Sequence, residues 1–222
     1  MSLPAAVRTS LRAAADASLA PGQQAYMKSA MPFLGVRVPD VRRLVRDLVR
    51  DLGIGDPAEL SAAARELWDE ATHREERYAA AALVGLRPLR GDLGLVPFHE
   101  HVARTGAWWD HVDEAAHRVA ELHDAHPEET ATVVLRWSSD EASFWVRRLA
   151  IISQLGRKER TDLDLLAAVL EPNLAEREFF LRKAVGWSLR EVAKVDPAWV
   201  RAYVERHELS PLSRREALKH LR

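Results

Sequence analysis

The chain is predicted to be all-α, an α-solenoid of paired helices with a concave binding face. Three observations predict this. Ala, Leu, Arg and Glu are abundant across 222 residues and only 10 are Gly, a balance that favours helix. Apolar residues recur at spacings of three and four, and no segment reads convincingly as a strand. One helical pattern also returns every 35 residues, as Trp109-Asp110-His111-Val112-Asp113, Phe144-Trp145-Val146-Arg147-Arg148 and Phe179-Phe180-Leu181-Arg182-Lys183. Helix pairs repeating at such a period bury their apolar faces against their neighbours, which is how a solenoid is built.

Taken in order, a first break is expected at Pro21-Gly22. Val41, Leu44, Val45 and Leu48 then mark an amphipathic helix, and Leu60, Ala63, Ala64 and Leu67 another, with a break at residues 53–57 between them. The helix from Arg74 to Leu83 belongs to the same 35-residue register, because Tyr78 stands one interval before Asp113. A break from Pro88 to Gly94 leads to the helix carrying Trp109 and Asp113, which continues through Ala115, Ala116, Val119, Ala120 and Leu122. His126-Pro127, Pro172-Asn173, Asp196-Pro197 and Ser210-Pro211 separate the later helices, among them one with Leu165, Leu166, Val169 and Leu170. Ser213 precedes Glu216 by three, a capping-box spacing that predicts a last short helix running to Arg222. No break is long enough for a linker, so residues 1–222 are expected to form a single domain.

Composition narrows the function classes. With no cysteine the chain has no disulfide, thiolate metal site or cysteine nucleophile. The nine histidines show no ligand spacing, and Gly91 to Gly94 lacks the Lys-Ser/Thr of a phosphate loop, so neither a metal nor another cofactor is expected. The first 20 residues do not read as an export signal and no run is apolar enough to span a bilayer, so a cytoplasmic monomer without membrane contact is expected. The net charge of −1 hides an asymmetry: residues 1–50 sum to +5 and residues 51–80 to −5. Nucleic-acid binding would need a local basic face.

The 35-residue register makes a specific prediction about a site. Four residues is about one helical turn, so each leading aromatic neighbours the charged residue that closes its copy, and Asp113, Arg148 and Lys183 fall in a row. One further turn places Trp187 on the same strip. A single carboxylate beside two cations, walled by indoles, suits a cationic group flanked by phosphates. Trp68, Trp137, Phe144, Trp145, Phe179, Phe180 and Trp199 read as packing between repeats, and an Asp113–Arg148 bridge of purely structural purpose competes with the functional reading.

Four segments carry a family resemblance. Gln23 to Val36 with Pro39, Trp108 to Asp113, Arg182 to Arg190 and Leu209 to Leu218 resemble, in the same order and across almost the whole chain, the AlkD-like DNA alkylation repair glycosylases. The resemblance implies a stack of HEAT-like repeats that binds double-stranded DNA on its concave face and releases purines alkylated at N3 or N7, without flipping the lesion into a pocket. It further implies that Asp113 is the catalytic carboxylate, that Trp109 and Trp187 contact the lesion's deoxyribose and backbone, and that Arg148 helps to hold phosphate. Lys183 is expected to pair with phosphate or with Asp113. Tyr26 and Met27 would lie along the DNA path, with Lys28, Arg42 and Arg43 as phosphate contacts. On DNA the protein would be nucleoid-associated.

The chemistry suits a lone carboxylate. Glycosidases acting on an uncharged glycoside pair two carboxyls because the departing oxygen must be protonated as its bond breaks. An alkylated purine is already cationic and departs neutral, so one carboxylate suffices to stabilise the sugar and position water. The competing classes are a noncatalytic HEAT-repeat protein that binds damaged or structured DNA, and a solenoid that anchors peptides with its aromatics. A carboxylate on the contact strip argues against the first, and steeply salt-dependent duplex binding would argue against the second.

Overall fold

The computed structural model describes residues 2–221. Among them regular structure is entirely helical, with thirteen α-helices, four short 3-10 turns and no strand. The chain divides into two compact units, residues 1–90 and 91–222, and the boundary falls inside the Pro88 to Gly94 break.

The first unit contains α1 (Leu3–Ala13), α2 (Ala20–Met27), α3 (Val38–Asp51), α4 (Pro57–Asp69) and α5 (Arg74–Val84). Ser2 and Asp56 cap α1 and α4 by accepting backbone N–H groups, and Pro follows each cap within the first two helical positions, where its missing N–H costs nothing. Val7, Leu11, Val41, Val45, Leu60, Leu67 and Leu83 are fully buried and form the core, each worth about 1.5–3 kcal/mol over exposure. The predicted stripes of α3 and α4 thus face inward, except that Leu44 and Leu48 remain half-buried.

The connection before α3 is fixed by one carboxylate. Glu75, fully buried on α5, accepts backbone N–H bonds from Leu34 (2.9 and 3.0 Å), Gly35 (2.9 Å) and Val36 (3.2 Å). Burying a carboxylate is costly unless it is hydrogen-bonded, and these donors offset that cost. Gly35 has φ +91°, and a Cβ there would lie 2.0 Å from the Asp16 carbonyl oxygen, so both conformation and space require glycine.

The second unit contains α6 (Val96–Gly106), α7 (Trp109–Ala125), α8 (Pro127–Ser138), α9 (Phe144–Ile151), α10 (Leu163–Leu170), α11 (Phe179–Val192), α12 (Pro197–Arg206) and α13 (Pro211–Ala217). Helices α7, α9 and α11 begin at Trp109, Phe144 and Phe179, so the sequence period is a structural period. In the first unit α5 begins at Arg74, one interval earlier along the chain.

Ties between neighbouring repeats span close to the same interval. Trp137 Nε1 donates to Glu100 across 37 residues (2.8 Å), Asn173 Nδ2 to the Ser138 carbonyl across 35 (2.9 Å), and Ser188 Oγ to the Ile151 carbonyl across 37 (2.8 Å). Arg104 bridges to Asp140 and Arg160 to Asp124 in the same manner. Each repeat is thereby pinned to the next by side chains as well as by its buried face, as a helical-repeat fold requires.

The final helix departs from its predicted cap. Ser210, not Ser213, caps α13, with its Oγ accepting the Ser213 N–H at 3.1 Å. Pro at the first helical position sets the start at 211, because its fixed φ is suited to a first turn. Ser213 Oγ is therefore free to donate to the Arg182 carbonyl (2.9 Å), and Glu216 turns toward α11. The helix ends at Ala217, and Arg222, its predicted end, lies outside the described residues.

Candidate active site

The predicted row of charges begins as an ion pair. Asp113 sits on α7, whose buried face is formed by Val112, Ala115, Ala116 and Val119. Its carboxylate accepts from Arg148 Nε at 2.9 Å and from a terminal guanidinium nitrogen at 3.0 Å, a bidentate clasp across 35 residues. The remaining terminal nitrogen of Arg148 donates to the Phe180 carbonyl at 2.8 Å. With 5% of its side chain exposed and all three nitrogens engaged, Arg148 links α7, α9 and α11. Here the guanidinium spends its donors inside the protein.

Asp113 retains 18% side-chain exposure. Burial pushes its carboxyl above the ordinary aspartate value and neighbouring Asp110 adds to this, while Arg148 and His117 oppose the rise.

A cavity of about 260 Å³ lies beside this clasp. Trp109, Arg148, Lys183 and Trp187 all line it, so four of the predicted strip residues come together. Phe179, Phe180 and Arg190 complete the wall. Lys183, Trp187 and Arg190 follow at four and three residues along α11, which puts them on one face. Trp109 and Asp113 are one turn apart on α7.

Lys183 does not join Asp113. Its ammonium pairs with Glu216 at 3.1 Å, and the same carboxylate binds Arg190. Glu216 reaches both because Gly186 lets α13 lie against α11. A Cβ on Gly186 would come within 2.5 Å of Glu216 Cβ and 2.8 Å of the Ser213 carbonyl oxygen. Burial pushes the Glu216 carboxyl up, but Lys183 and Arg190 outweigh it and hold the group below the usual glutamate value. Repeat spacing concealed Glu216 and Arg190; the mid-helix glycine was the one signal of a close approach.

The aromatic residues read as packing divide into two groups. Trp68, Trp137 and Trp145 are buried. Trp145 also meets Phe144 and Phe180 in tilted contacts at 4.8 Å, and Trp108 lies 6.1 Å from it, so these rings pack against one another beside the cavity wall that Phe180 helps to form. Phe179, by contrast, is 50% exposed and lines the cavity. Expected in the packing, it instead forms an aromatic wall.

The predicted contacts of residues 26–43 belong to the first unit. Tyr26, near the end of α2, is 75% exposed, and Lys28 closes that helix in the left-handed region with φ 49°. Met27 is half-buried. Arg42 and Arg43 are exposed on α3, with Arg43 paired to Asp40 at 2.7 Å.

A second cavity, of about 300 Å³, lies toward the end of α11 among Ile151, Leu155, Leu166 and Val192. No aromatic ring lines it, and its one carboxylate, Glu191, is bound to Lys194. Among the described residues no cluster of three or more His, Asp or Glu side chains is arranged to hold a metal ion, and no helix is long and apolar enough to cross a membrane.

The family model described as DNA alkylation repair enzyme matches residues 7–221. The chain belongs to the DNA alkylation repair enzyme family. A solved structure described as a predicted DNA alkylation repair enzyme from Enterococcus faecalis is 31% identical, with 93% of this chain and 96% of that one covered at a TM-score of 0.84. The protein smu.31 of Streptococcus mutans shares the fold at 18% identity and a TM-score of 0.60, over 83% of this chain and 99% of its own. No curated protein matches. Membership of the alkylation repair family gives the chain a role in the repair of alkylated DNA, with DNA as its partner.

Proposed function

We propose that this alkylation repair protein is a monofunctional DNA glycosylase that hydrolyses the N-glycosidic bond of positively charged N3- and N7-alkylated purines in duplex DNA. One observation carries the proposal: a half-buried carboxylate, Asp113, clasped by Arg148 and one turn from Trp109, beside a cavity also lined by Trp187.

As the bond to a cationic purine stretches, positive charge passes to the sugar and the base leaves neutral. No general acid is needed. Asp113 stabilises the oxocarbenium-like sugar and orients water toward C1′, from a position fixed in advance by Arg148. The indole faces of Trp109 and Trp187 add a cation–π contribution of about 0.5–2 kcal/mol each. Help of this size serves a labile cationic lesion and is too small for an intact neutral base, so selectivity arises from leaving-group chemistry, without base flipping. Tyr26, Met27, Lys28, Arg42 and Arg43 are assigned to the DNA path, Lys183 to the lesion side, and the protein is taken to act as a cytoplasmic monomer associated with the nucleoid.

The Asp113–Arg148 pair also supports a second reading, noncatalytic binding of damaged or structured DNA, because a bridge joining three helices has a structural use of its own. Incubation with duplex containing N7-methylguanine, followed by detection of free base, separates the two. The wild type should release base. Asp113→Asn should bind DNA equally well or better while release falls by about 100-fold or more. Equal release by the variant would remove Asp113 from the mechanism, and no release by the wild type would favour the binding protein.

A further inference from the structure

Three cations, Arg148, Lys183 and Arg190, line the cavity proposed to receive a cationic nucleoside. Left uncompensated they would oppose the reaction, because like charges a few ångströms apart in a partly desolvated site repel strongly. Two carboxylates answer them. Asp113 takes Arg148, and Glu216 takes both Lys183 and Arg190.

We propose that Glu216 is a positioning residue that anchors Lys183 and Arg190 to the cavity wall and keeps the local charge low enough to admit a cationic nucleoside. The proposal rests on the glycosylase reading. Neither the cleavage chemistry nor the repeat pattern has a use for Glu216, yet its surroundings are built with care. It is 12% exposed, on a seven-residue helix that contributes little else to the site. Gly186 removes the side chain that would hold α13 away, and Ser213 binds the Arg182 carbonyl one turn below. The two anchored cations flank Trp187 on α11, so tying both to one carboxylate also steadies the strip that carries the indole. With Glu216 present the five charged groups sum to +1, and without its charge they would sum to +2.

The test compares wild type, Glu216→Gln, Lys183→Gln and the double variant. Duplexes carrying a neutral tetrahydrofuran or a cationic pyrrolidine in place of the lesion sugar report charge tolerance directly. Glu216→Gln should bind the tetrahydrofuran duplex as tightly as wild type or more so, while its preference for the pyrrolidine duplex and its single-turnover release of N7-methylguanine both fall by about tenfold. Adding Lys183→Gln should restore much of that preference, a rescue that a purely structural role for Glu216 would not produce. Lys183→Gln alone, which leaves Glu216 with Arg190, should raise the preference above wild type and serves even if Glu216→Gln does not fold. An unchanged pyrrolidine-to-tetrahydrofuran ratio in either folded single variant, or no rescue in the double variant, overturns the proposal. Absence of base release by wild type counts instead against the glycosylase reading, so the two failures are separable.

Discussion

Arg148 grips Asp113 across one repeat, its guanidinium edge matched to both carboxylate oxygens at 2.9 and 3.0 Å. The third nitrogen reaches the Phe180 carbonyl of the following copy. One side chain therefore orients the candidate catalytic carboxylate and joins three successive helices. Lysine has no planar fork and makes no such bidentate contact.

Arg148→Ala should lower stability by about 3 kcal/mol, the low end for breaking a buried pair, since Asp113 keeps 18% of its side chain in solvent. Base release should fall with it, because Asp113 loses its orientation. Salt titration of duplex binding separates positioning from phosphate contact. An unchanged slope is expected, whereas a slope reduced by about one would mean that the guanidinium leaves Asp113 to bind phosphate.

The pH profile should carry the mark of Asp113. Burial raises its folded-state value, so the carboxylate is lost on acidification at a higher pH than an ordinary aspartate would show. Base release should decline with falling pH through that raised value. For stability the sign is opposite: between the unfolded and the raised folded value the native state holds more protons, and stability from this group is lost as pH rises. Glu216, held low by its two cations, contributes stability that is lost as pH falls. Asp113→Asn should remove its share of the slope in melting curves taken across acid pH, and an unaltered slope would refute the assignment.

Gly186→Ala should destabilise the second unit by about 1–3 kcal/mol, because the new methyl group meets backbone at Ser213 as well as Glu216 Cβ. As α13 is pushed from α11, Glu216 draws away from Lys183 and Arg190. Thermal unfolding and base-release assays should show both losses, and wild-type melting would mean that the two helices have room to yield.

Tyr26→Ala should change stability by no more than about 0.5 kcal/mol, since the ring is 75% exposed. Duplex affinity should nevertheless drop several-fold, with the salt slope intact because no charge is removed. Equal affinity would take the end of α2 out of the DNA path.

Much of the fold was legible because repeat architecture writes itself into sequence: the interval from Trp109 to Phe144 to Phe179 became three helix starts, and the Asp113–Arg148 row became an ion pair. What stayed hidden obeys no period. Glu216 belongs to α13, and its partners on α11 lie 33 and 26 residues earlier, so no copy-to-copy alignment points at them. The repeat register consequently points Lys183 toward Asp113 or phosphate, not toward Glu216. The cap lies three residues before the one that Ser213-x-x-Glu216 predicts, because that spacing satisfies a local rule that tertiary contacts override, with both side chains drawn to α11. Phe179 is hard to place from sequence for the related reason that an aromatic at a repeat boundary looks alike whether it faces a neighbour or solvent.

Because the cavity takes Trp109 from one copy, Arg148 from the next and Phe179, Lys183 and Trp187 from a third, its tolerance to rearrangement differs from that of the scaffold. Gain or loss of a whole unit could preserve every seam between adjoining layers, yet would substitute the wrong side chain at one of the three stations. Architecture of this kind can lengthen or shorten over evolutionary time, while the chemistry stays bound to one particular trio of layers.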